Sequence, residues 1–194
     1  TLGLPTAHDW PCFIAGKPWT GDTLVDVTHP GDGSVVGRVH VPDAAAVETA
    51  LQAAWDSRAA ARATSAATRA DALMHVSHRL AERSEEVAQL ITAENGKPIT
   101  WARAEAGRAV STFRWAAEEA RRFNGEFQRL DTEKATERRA AIIRRFPYGP
   151  VLGISPFNFP VNLVAHKVAP AIAVGAPIVV KPAPATPLGS LILG

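Results

Sequence analysis

The residues best suited to chemistry lie in the segment 155–160, which reads Ser-Pro-Phe-Asn-Phe-Pro and follows an apolar stretch typical of a strand. Proteins with alternating strands and helices place their binding sites at the carboxyl ends of strands. The amide of Asn158 carries two N–H donors, which either find acceptors in the protein or stay available to a substrate oxygen. The alternative is that Asn158 caps the following helix, with Pro160 in its first turn. The residue types alone leave both roles open.

Lys181 is the second candidate, because it ends the apolar run Ile-Val-Val at 178–180 and precedes Pro182. A cation at the end of a buried strand suits the phosphate or ribose of a nucleotide. The alternative is a lysine that only reaches solvent from the last strand residue. The presence of Asn158 in the same strand–helix–strand unit favours the binding role.

Three weaker features favour structural roles. The glycine-rich run at 31–37 approximates a dinucleotide fingerprint, but its spacing has one residue too many and it precedes a strand, which indicates a turn. Cys12 has no nearby base or helix N-terminus to activate a thiol, so we expect it to be inert. His75 and His78 share one helix face without a third ligand at metal-like spacing, so no metal site is predicted.

The elements that position these residues follow from periodicity and turn residues. Strands are predicted at 12–14, 24–27, 35–41 and 138–146, with a turn at 16–18. Helices are predicted after Asp43 as N-cap, over 65–94 and over 99–123. A strand at 151–154, a helix at 161–174 interrupted or kinked at Pro170, and a strand at 176–180 then form a βαβ unit. A parallel sheet therefore begins late in the chain.

Composition excludes several classes of protein. Of the 194 residues 46% are apolar and 21% charged, which is ordinary for a globular chain, and a net charge of +2 implies no basic surface for nucleic acid. The longest apolar run, 168–180, is shorter than the roughly 20 residues of a membrane span. Cys12 is the only cysteine, as is typical of reducing compartments. We therefore expect a soluble cytoplasmic protein. Residues 146–194 carry only two charged side chains, so we expect them to be largely buried inside a larger body.

The run Gly-Pro-Val-Leu-Gly-Ile-Ser-Pro-Phe-Asn-Phe-Pro at 149–160, followed by Lys-Pro-Ala at 181–183 and Thr-Pro at 186–187, closely resembles the aldehyde dehydrogenase superfamily. Glu-Asn-Gly-Lys-Pro at 94–98 and Phe-Arg-Trp-Ala-Ala-Glu-Glu-Ala at 113–120 extend the resemblance, which covers nearly the whole chain from Cys12 on. The chain is most similar to lactaldehyde, phosphonoacetaldehyde and non-phosphorylating glyceraldehyde-3-phosphate dehydrogenase-like members.

The resemblance implies an α/β fold, the N-terminal portion of the aldehyde dehydrogenase fold. Residues 1–123 would be the helical part of the cofactor-binding domain, and residues 124–148 a separate strand segment for oligomerisation. Residues 149–194 would form the first βαβ unit of a parallel Rossmann-like sheet, in a domain that is incomplete at its C-terminus. Full-length members of this kind are expected to be homodimers or homotetramers.

The resemblance also implies an activity and the residues that serve it. Family members oxidise aldehydes to acids with NAD or NADP through a cysteine thiohemiacetal and a thioester, which water activated by a glutamate hydrolyses. Asn158 would donate its amide hydrogen to the oxyanion. The cofactor would contact Ile154, Ser155, Pro156, Phe157, Lys181 and Pro184, with Lys181 on the adenosine ribose. The aldehyde would meet Ala104, Arg108, Phe159, Leu163 and His166.

Two of these positions lead to more specific expectations, one about the cofactor and one about the charge of the substrate. NAD-specific relatives commonly have a glutamate where this chain has Pro184, so we expect NADP to be tolerated or preferred. Arg108 would stand in the tunnel wall, where a guanidinium suits a carboxylate, phosphate or phosphonate, so we expect a small anionic aldehyde. The alternative is that Arg108 turns outward and pairs with Glu105 or Thr112 on its own helix.

The chain departs from the family in length, because it ends at Gly194, at less than half of a family member. The glycine-rich cofactor turn, the general-base glutamate and the nucleophilic cysteine would all lie beyond that point, so we expect the 194 residues alone to be inactive. The alternative function is a truncated fragment that serves only as an oligomerisation or binding module, with residues 138–145 as its working strand.

Overall fold

The computed structural model describes residues 8–194, which form nine strands and six α-helices. The strands are β1 (Asp9–Trp10), β2 (Cys12–Ile14), β3 (Lys17–Trp19), β4 (Leu24–Thr28), β5 (Val35–His40), β6 (Gly125–Arg129), β7 (Ala140–Arg144), β8 (Val151–Ile154) and β9 (Ile178–Lys181). The helices are α1 (Ala44–Ala63), α2 (Ala66–Glu82), α3 (Ser84–Asn95), α4 (Ile99–Arg122), α5 (Asn162–Val174) and α6 (Leu188–Leu191).

The N-terminal strands form a three-stranded sheet in the order β1-β5-β4 and a separate β2–β3 hairpin. The turn predicted at 16–18 is wrong, because Ala15 and Gly16, both with positive φ, make the turn and Lys17 already begins β3. Pro18 is tolerated in β3 because it faces Phe13, beside the pair that closes this two-residue hairpin, where no N–H is needed across the ladder.

The helices follow the predicted start and stop signals with one exception. Asp43 caps α1 as expected, since its carboxylate accepts the N–H of Ala46 at 2.7 Å. The single helix predicted over 65–94 is instead two helices, α2 and α3, separated at Arg83. The apolar periodicity runs through the break, but the acidic pair Glu85 and Glu86 lies in a new first turn, where carboxylates stabilise a helix N-terminus.

The apolar faces of α2, α3, α4 and α5 share one core, in which Leu73, Ile91, Phe113 and Val161 are almost fully buried. Alanines make up much of the rest of this core. Short side chains let the helices approach closely, so the core holds α4 firmly against both the earlier helices and α5. Among residues 8–194, no helix is both long and apolar enough to cross a bilayer.

The C-terminal part confirms the predicted parallel unit. Strands β8 and β9 pair in parallel with α5 between them, and Ile154 lies opposite Lys181. Helix α5 begins one residue later than predicted and continues through Pro170 without interruption. Strand β9 includes Lys181 and begins two residues later than predicted. Periodicity and turn residues predicted neither helix α6 nor strand β6, although β6 lies in the strand segment 124–148 that the resemblance implies.

Residues 146–194 are mostly buried or half-buried, but the β8–β9 pair has one uncovered face. Gly153 is buried under α5, where a Cβ would come within 3.2 Å of the Lys167 side chain. The neighbours of Gly153, Leu152 and Ile154, are about 60% exposed on the opposite face, and Tyr148 is fully exposed. One face of the β8–β9 pair therefore has no cover among residues 8–194, and burial of this segment inside a larger body stays a prediction.

Candidate functional site

The parallel pairing brings the predicted cofactor residues to one edge of the β8–β9 pair. The N–H of Ser155 donates to the carbonyl of Lys181 at 3.1 Å, so both strands end side by side. Ile154 and Phe157 are 61% and 62% exposed there. Lys181 is exposed, and within residues 8–194 its ammonium makes only a long 3.5 Å contact with the carbonyl of Pro182. Pro156 and Pro184 are exposed as well.

Side chains from elsewhere hold the backbone of the turn at 155–160. Asn95, the last residue of α3, donates to the carbonyl of Phe157 at 2.9 Å. Lys97, in the loop between α3 and α4, donates to the carbonyl of Asn158 at 2.8 Å. Ser190 donates to the carbonyl of Pro160 at 3.2 Å. Three carbonyls of the turn are therefore bound by side chains from other parts of the chain, which fixes its path from Phe157 to Pro160.

The side chain of Asn158 is exposed and does not cap α5. The N-cap residue of α5 is Val161, which makes no side-chain cap bond. The carboxylate of Glu105 caps the helix instead, because it accepts the N–H of Val161 at 3.0 Å and the N–H of Asn162 at 3.2 Å. The helix-cap alternative for Asn158 is therefore wrong, and the residue is exposed beside the ends of β8 and β9.

Glu105 also forms a buried ion pair with Lys97. The Glu105 side chain is fully buried and the Lys97 side chain is 12% exposed. The Lys97 ammonium lies 3.9 Å from the centroid of the Phe159 ring, a contact in which the ring face attracts the cation. One lysine thus links a helix carboxylate, the Asn158 carbonyl and the aromatic residue that follows Asn158.

A second buried carboxylate, Glu94, supports the same region from the other side. Its two oxygens accept the N–H groups of Leu188 at 2.7 Å and Gly189 at 2.8 Å, at the start of α6. Burial raises the pKa of Glu94 to about 8, although these two hydrogen bonds act in the opposite direction and the Glu105 carboxylate adds to the rise. A Cβ on Gly189 would stand 2.6 Å from this carboxylate, so only glycine fits there.

The predicted substrate residues lie on α4, α5 and the turn. Ala104 and Arg108 are exposed one turn apart on α4, and the Arg108 guanidinium is 5.7 Å from the Phe159 ring centroid. Phe159 and Leu163 are partly buried, and His166 is exposed. Arg108 and Phe159 are therefore brought together, on the side of α4 that meets the turn.

The proposed pairing of Arg108 within its own helix is wrong. The carboxylate of Glu105 is engaged by Lys97 and by the amides of α5. The hydroxyl of Thr112 donates to the backbone carbonyl of Arg108 at 3.0 Å and does not bond to the guanidinium. Arg108 has an ion-pair partner nowhere among residues 8–194.

Sequence reasoning missed the roles of Glu94, Asn95, Lys97 and Glu105. A signal was available for the two acids, because Glu94 follows the buried Ile91 by three residues and Glu105 lies between the buried Ala102 and Ala109 on one helix face. A charged residue within an apolar stripe must find a partner when the stripe is buried. What the spacing could not give is the identity of that partner.

Cys12 and the glycine-rich run have the structural roles that the sequence predicts. The Cys12 thiol donates to the carbonyl of His40 at 2.9 Å, and burial raises its pKa, which disfavours a reactive thiolate. The glycine-rich run is the turn between β4 and β5, where Ser34 bonds to Asp32. Within residues 8–194, no three side chains of the metal-binding types lie together.

An exposed amide, a cation and exposed apolar residues at the carboxyl end of a parallel βαβ unit are typical of nucleotide-dependent α/β enzymes. Comparison with known proteins gives the family: residues 18–194 match the aldehyde dehydrogenase family. The chain belongs to that family and corresponds to its N-terminal part.

Three similar proteins illustrate the relationship. The 3-sulfolactaldehyde dehydrogenase of Pseudomonas putida is 36% identical over 90% of the chain and 35% of its own length. The crystal structure of aldehyde dehydrogenase 21 from Physcomitrella patens, in complex with the reaction product succinate, is 44% identical with a TM-score of 0.94, over 97% of the chain and 40% of its own. The crystal structure of the NADP-dependent glyceraldehyde-3-phosphate dehydrogenase from Bacillus halodurans C-125, complexed with NADP, is 32% identical with a TM-score of 0.90. The match covers 95% of the present chain and 40% of that enzyme. The chain spans 26–36% of the length of the curated relatives that it matches.

Proposed function

We propose that this chain forms the N-terminal part of an NAD(P)-dependent aldehyde dehydrogenase that oxidises a small anionic aldehyde to the carboxylic acid. The observation that carries the proposal is the exposed Asn158, whose own carbonyl and that of Phe157 are held by other side chains, while the following helix is capped by Glu105. In this proposal the nucleophilic cysteine and the general-base glutamate lie outside residues 1–194, so these residues alone are inactive.

Asn158 supplies an oxyanion donor. When a thiolate adds to the aldehyde carbonyl, negative charge develops on the carbonyl oxygen, and a fixed N–H donor stabilises that charge more than it stabilises the ground state. The side-chain amide of Asn158 is exposed, while its backbone is held by Lys97. A donor on a fixed backbone does not have to reorganise during the reaction, which is what gives such donors their catalytic value.

The exposed strand ends suit a dinucleotide. Lys181 offers an exposed ammonium for a ribose hydroxyl or phosphate, and residues 154–157 offer apolar and backbone contacts beside it. The Ser155 hydroxyl is buried without a partner among residues 8–194. The cofactor, when bound, supplies the hydride acceptor. Pro184 brings no carboxylate to repel a 2′-phosphate, so NADP is accepted or preferred.

Arg108 is the anion site in this proposal. Its guanidinium is exposed and close to Phe159, one residue after the oxyanion donor. An arginine fork binds a carboxylate, phosphate or sulfonate through two parallel hydrogen bonds. The names of the three similar proteins supply one example each: succinate, glyceraldehyde 3-phosphate and 3-sulfolactaldehyde. Ala104, Leu163 and His166 complete the wall around the aldehyde.

A second candidate function is an oligomerisation or binding module without activity. Strands β6 and β7 pair as an antiparallel ribbon and expose Phe127 at 69% and Ile142 at 79%. An exposed apolar ribbon supports pairing with another copy, and in the full-length enzyme it supports a homodimer or homotetramer. The two functions differ in one outcome, since only the first gives NAD(P)H from an aldehyde.

The test uses the full-length polypeptide that carries residues 1–194 and follows NAD(P)H absorbance with succinic semialdehyde and with butanal, a neutral aldehyde of equal length. Because hydrogen bonds to charged groups contribute roughly 1.5–3 kcal/mol, Arg108→Leu should lower kcat/KM for succinic semialdehyde about 10- to 100-fold and leave butanal nearly unchanged. Arg114→Leu, an exposed arginine on the same helix, is the matched control.

Two results would contradict the proposal. Absence of turnover with any aldehyde would favour the module. An unchanged preference for the anionic aldehyde in Arg108→Leu would remove the anion site while leaving the dehydrogenase activity standing.

A further inference from the structure

We propose that Lys97 is a positioning residue for Asn158: it holds the Asn158 backbone carbonyl from the loop between α3 and α4 and is itself held by Glu105 and Phe159. The inference rests on the proposed dehydrogenase function, because it assigns a residue to the catalytic donor of that site. Asn95, which holds the neighbouring carbonyl, is the second member of the same clamp.

The geometry of the loop explains why two side chains reach two consecutive carbonyls. Gly96 lies between Asn95 and Lys97 with φ of +74°, in the left-handed region that ends α3. A Cβ at this position would come within 2.7 Å of Pro30, so the turn between β4 and β5 packs against the loop. The loop is therefore fixed, and the flanking side chains meet the carbonyls of Phe157 and Asn158.

Moving the Lys97 ammonium away from this position would cost considerable free energy. Its side chain is 12% exposed, and the Glu105 carboxylate that pairs with it is fully buried. Breaking a buried ion pair leaves an uncompensated charge, which destabilises strongly. The Phe159 ring against the ammonium further restricts it. The ammonium is thus held by Glu105 on α4, a contact that does not depend on the turn, and by the Phe159 ring within the turn.

Glu105 connects the two ends of the turn. One carboxylate oxygen pairs with Lys97, and the other accepts the N–H groups of Val161 and Asn162 at the start of α5. The carbonyl of Asn158 and the amide of Val161 are therefore tied to one carboxylate, directly or through one lysine. The backbone that carries the Asn158 amide is clamped on the side away from solvent, and displacements of about 1 Å at such a donor lower rates by about 10²-fold.

The experiment is a double-mutant cycle in the full-length polypeptide. Lys97→Met keeps the length of the side chain and removes the donor and the charge. We expect kcat to fall about 10- to 100-fold with an unchanged KM for the cofactor, because Lys97 contacts Asn158 and Phe159 and touches none of the proposed cofactor residues. In the Asn158→Ala background the same substitution should change kcat less than about twofold, because the donor that it positions is already gone. Lys97→Arg, which keeps charge and donors, should recover most of the activity.

Asn95→Ala provides a second variant, since Asn95 is only partly buried and its loss leaves no buried charge. We expect a smaller fall in kcat, about three- to tenfold, again absent in the Asn158→Ala background. Lys17→Met removes an exposed lysine on β3 and is the matched control, with no expected change.

The outcomes separate the inference from the proposed function. Equal losses with and without the Asn158 amide would show that Lys97 and Asn95 act only on stability, and would overturn the positioning role. Unchanged kcat in Lys97→Met, with an active wild type, would overturn it as well. An inactive wild type would overturn the dehydrogenase function first, and the positioning role with it.

Discussion

Replacement of Glu105 by glutamine tests whether this one carboxylate organises the start of α5. Glutamine keeps the shape and one acceptor oxygen, which can still receive the N–H groups of Val161 and Asn162. Its amide nitrogen would then face the Lys97 ammonium, so that two donors meet in a buried site. The variant therefore leaves a largely buried cation without its counter-ion.

The expected magnitude follows from that burial. Breaking a buried ion pair by changing one partner destabilises by about 3–5 kcal/mol. Because each 1.4 kcal/mol is a factor of ten in an equilibrium constant, the amides at the start of α5 should exchange with solvent about 10²- to 10³-fold faster. The assay is native-state hydrogen–deuterium exchange of the full-length polypeptide, read on peptides that cover the turn and α5.

Two further variants make the result interpretable. Glu119→Gln changes an exposed glutamate on the same helix that pairs with Arg122, and surface pairs of this kind contribute only about 0.3–0.5 kcal/mol. The double variant Glu105→Gln with Lys97→Met removes both charges and should be less destabilised than Glu105→Gln alone. Exchange at α5 that matches the Glu119→Gln control would refute the reasoning.

Three other predictions follow from single features. Purified residues 1–194 should oxidise no aldehyde with NAD or NADP; turnover that survives Cys12→Ala and a check for host enzymes would contradict this. Burial raises the pKa of Glu94 to about 8, so the folded state keeps a proton that the unfolded chain has lost, and the stability that this one group contributes should be fully present below pH of about 4.5 and be lost as pH rises through about 8. Melting temperatures from pH 5 to 8.5 should show this slope in the wild type and lose it in Glu94→Gln, and a stability that rises over that range would exclude it. With Pro184 in place of a carboxylate, kcat/KM for NADP should be at least comparable to that for NAD, and a preference for NAD above about a hundredfold would disprove the expectation.

Much of the fold could be predicted because local signals mark it. Asp43 is an N-cap residue and marks the start of α1. Asn-Gly pairs at 95–96 and 124–125 mark the ends of helices. Apolar runs on either side of a helical stretch predict the parallel pair β8 and β9. The break at Arg83 was missed because the apolar stripe continues across it. The exposed strand β6 was missed because its five residues have no buried face to impose an alternating pattern.

Part of the candidate site could likewise be predicted from the sequence, and part could not. Asn158 and Lys181 could be found because each follows a strand-like run and their types suit binding. The clamp could not, since Lys97 and Asn158 are 61 positions apart and Glu105 and Val161 are 56 apart. Such contacts depend on how α4 packs against α5, which local periodicity does not contain. The charged residues within apolar stripes were the available hint.

The most direct test of the central claim is the turnover of Asn158→Ala in the full-length polypeptide, measured beside its dissociation constant for NADP and its melting temperature. Loss of one oxyanion donor should lower kcat on the order of 10²- to 10³-fold, with cofactor affinity and melting temperature unchanged, because the α5 amides remain capped by Glu105. A variant that keeps wild-type kcat, with or without a lower melting temperature, would contradict the assignment of Asn158 as the oxyanion donor.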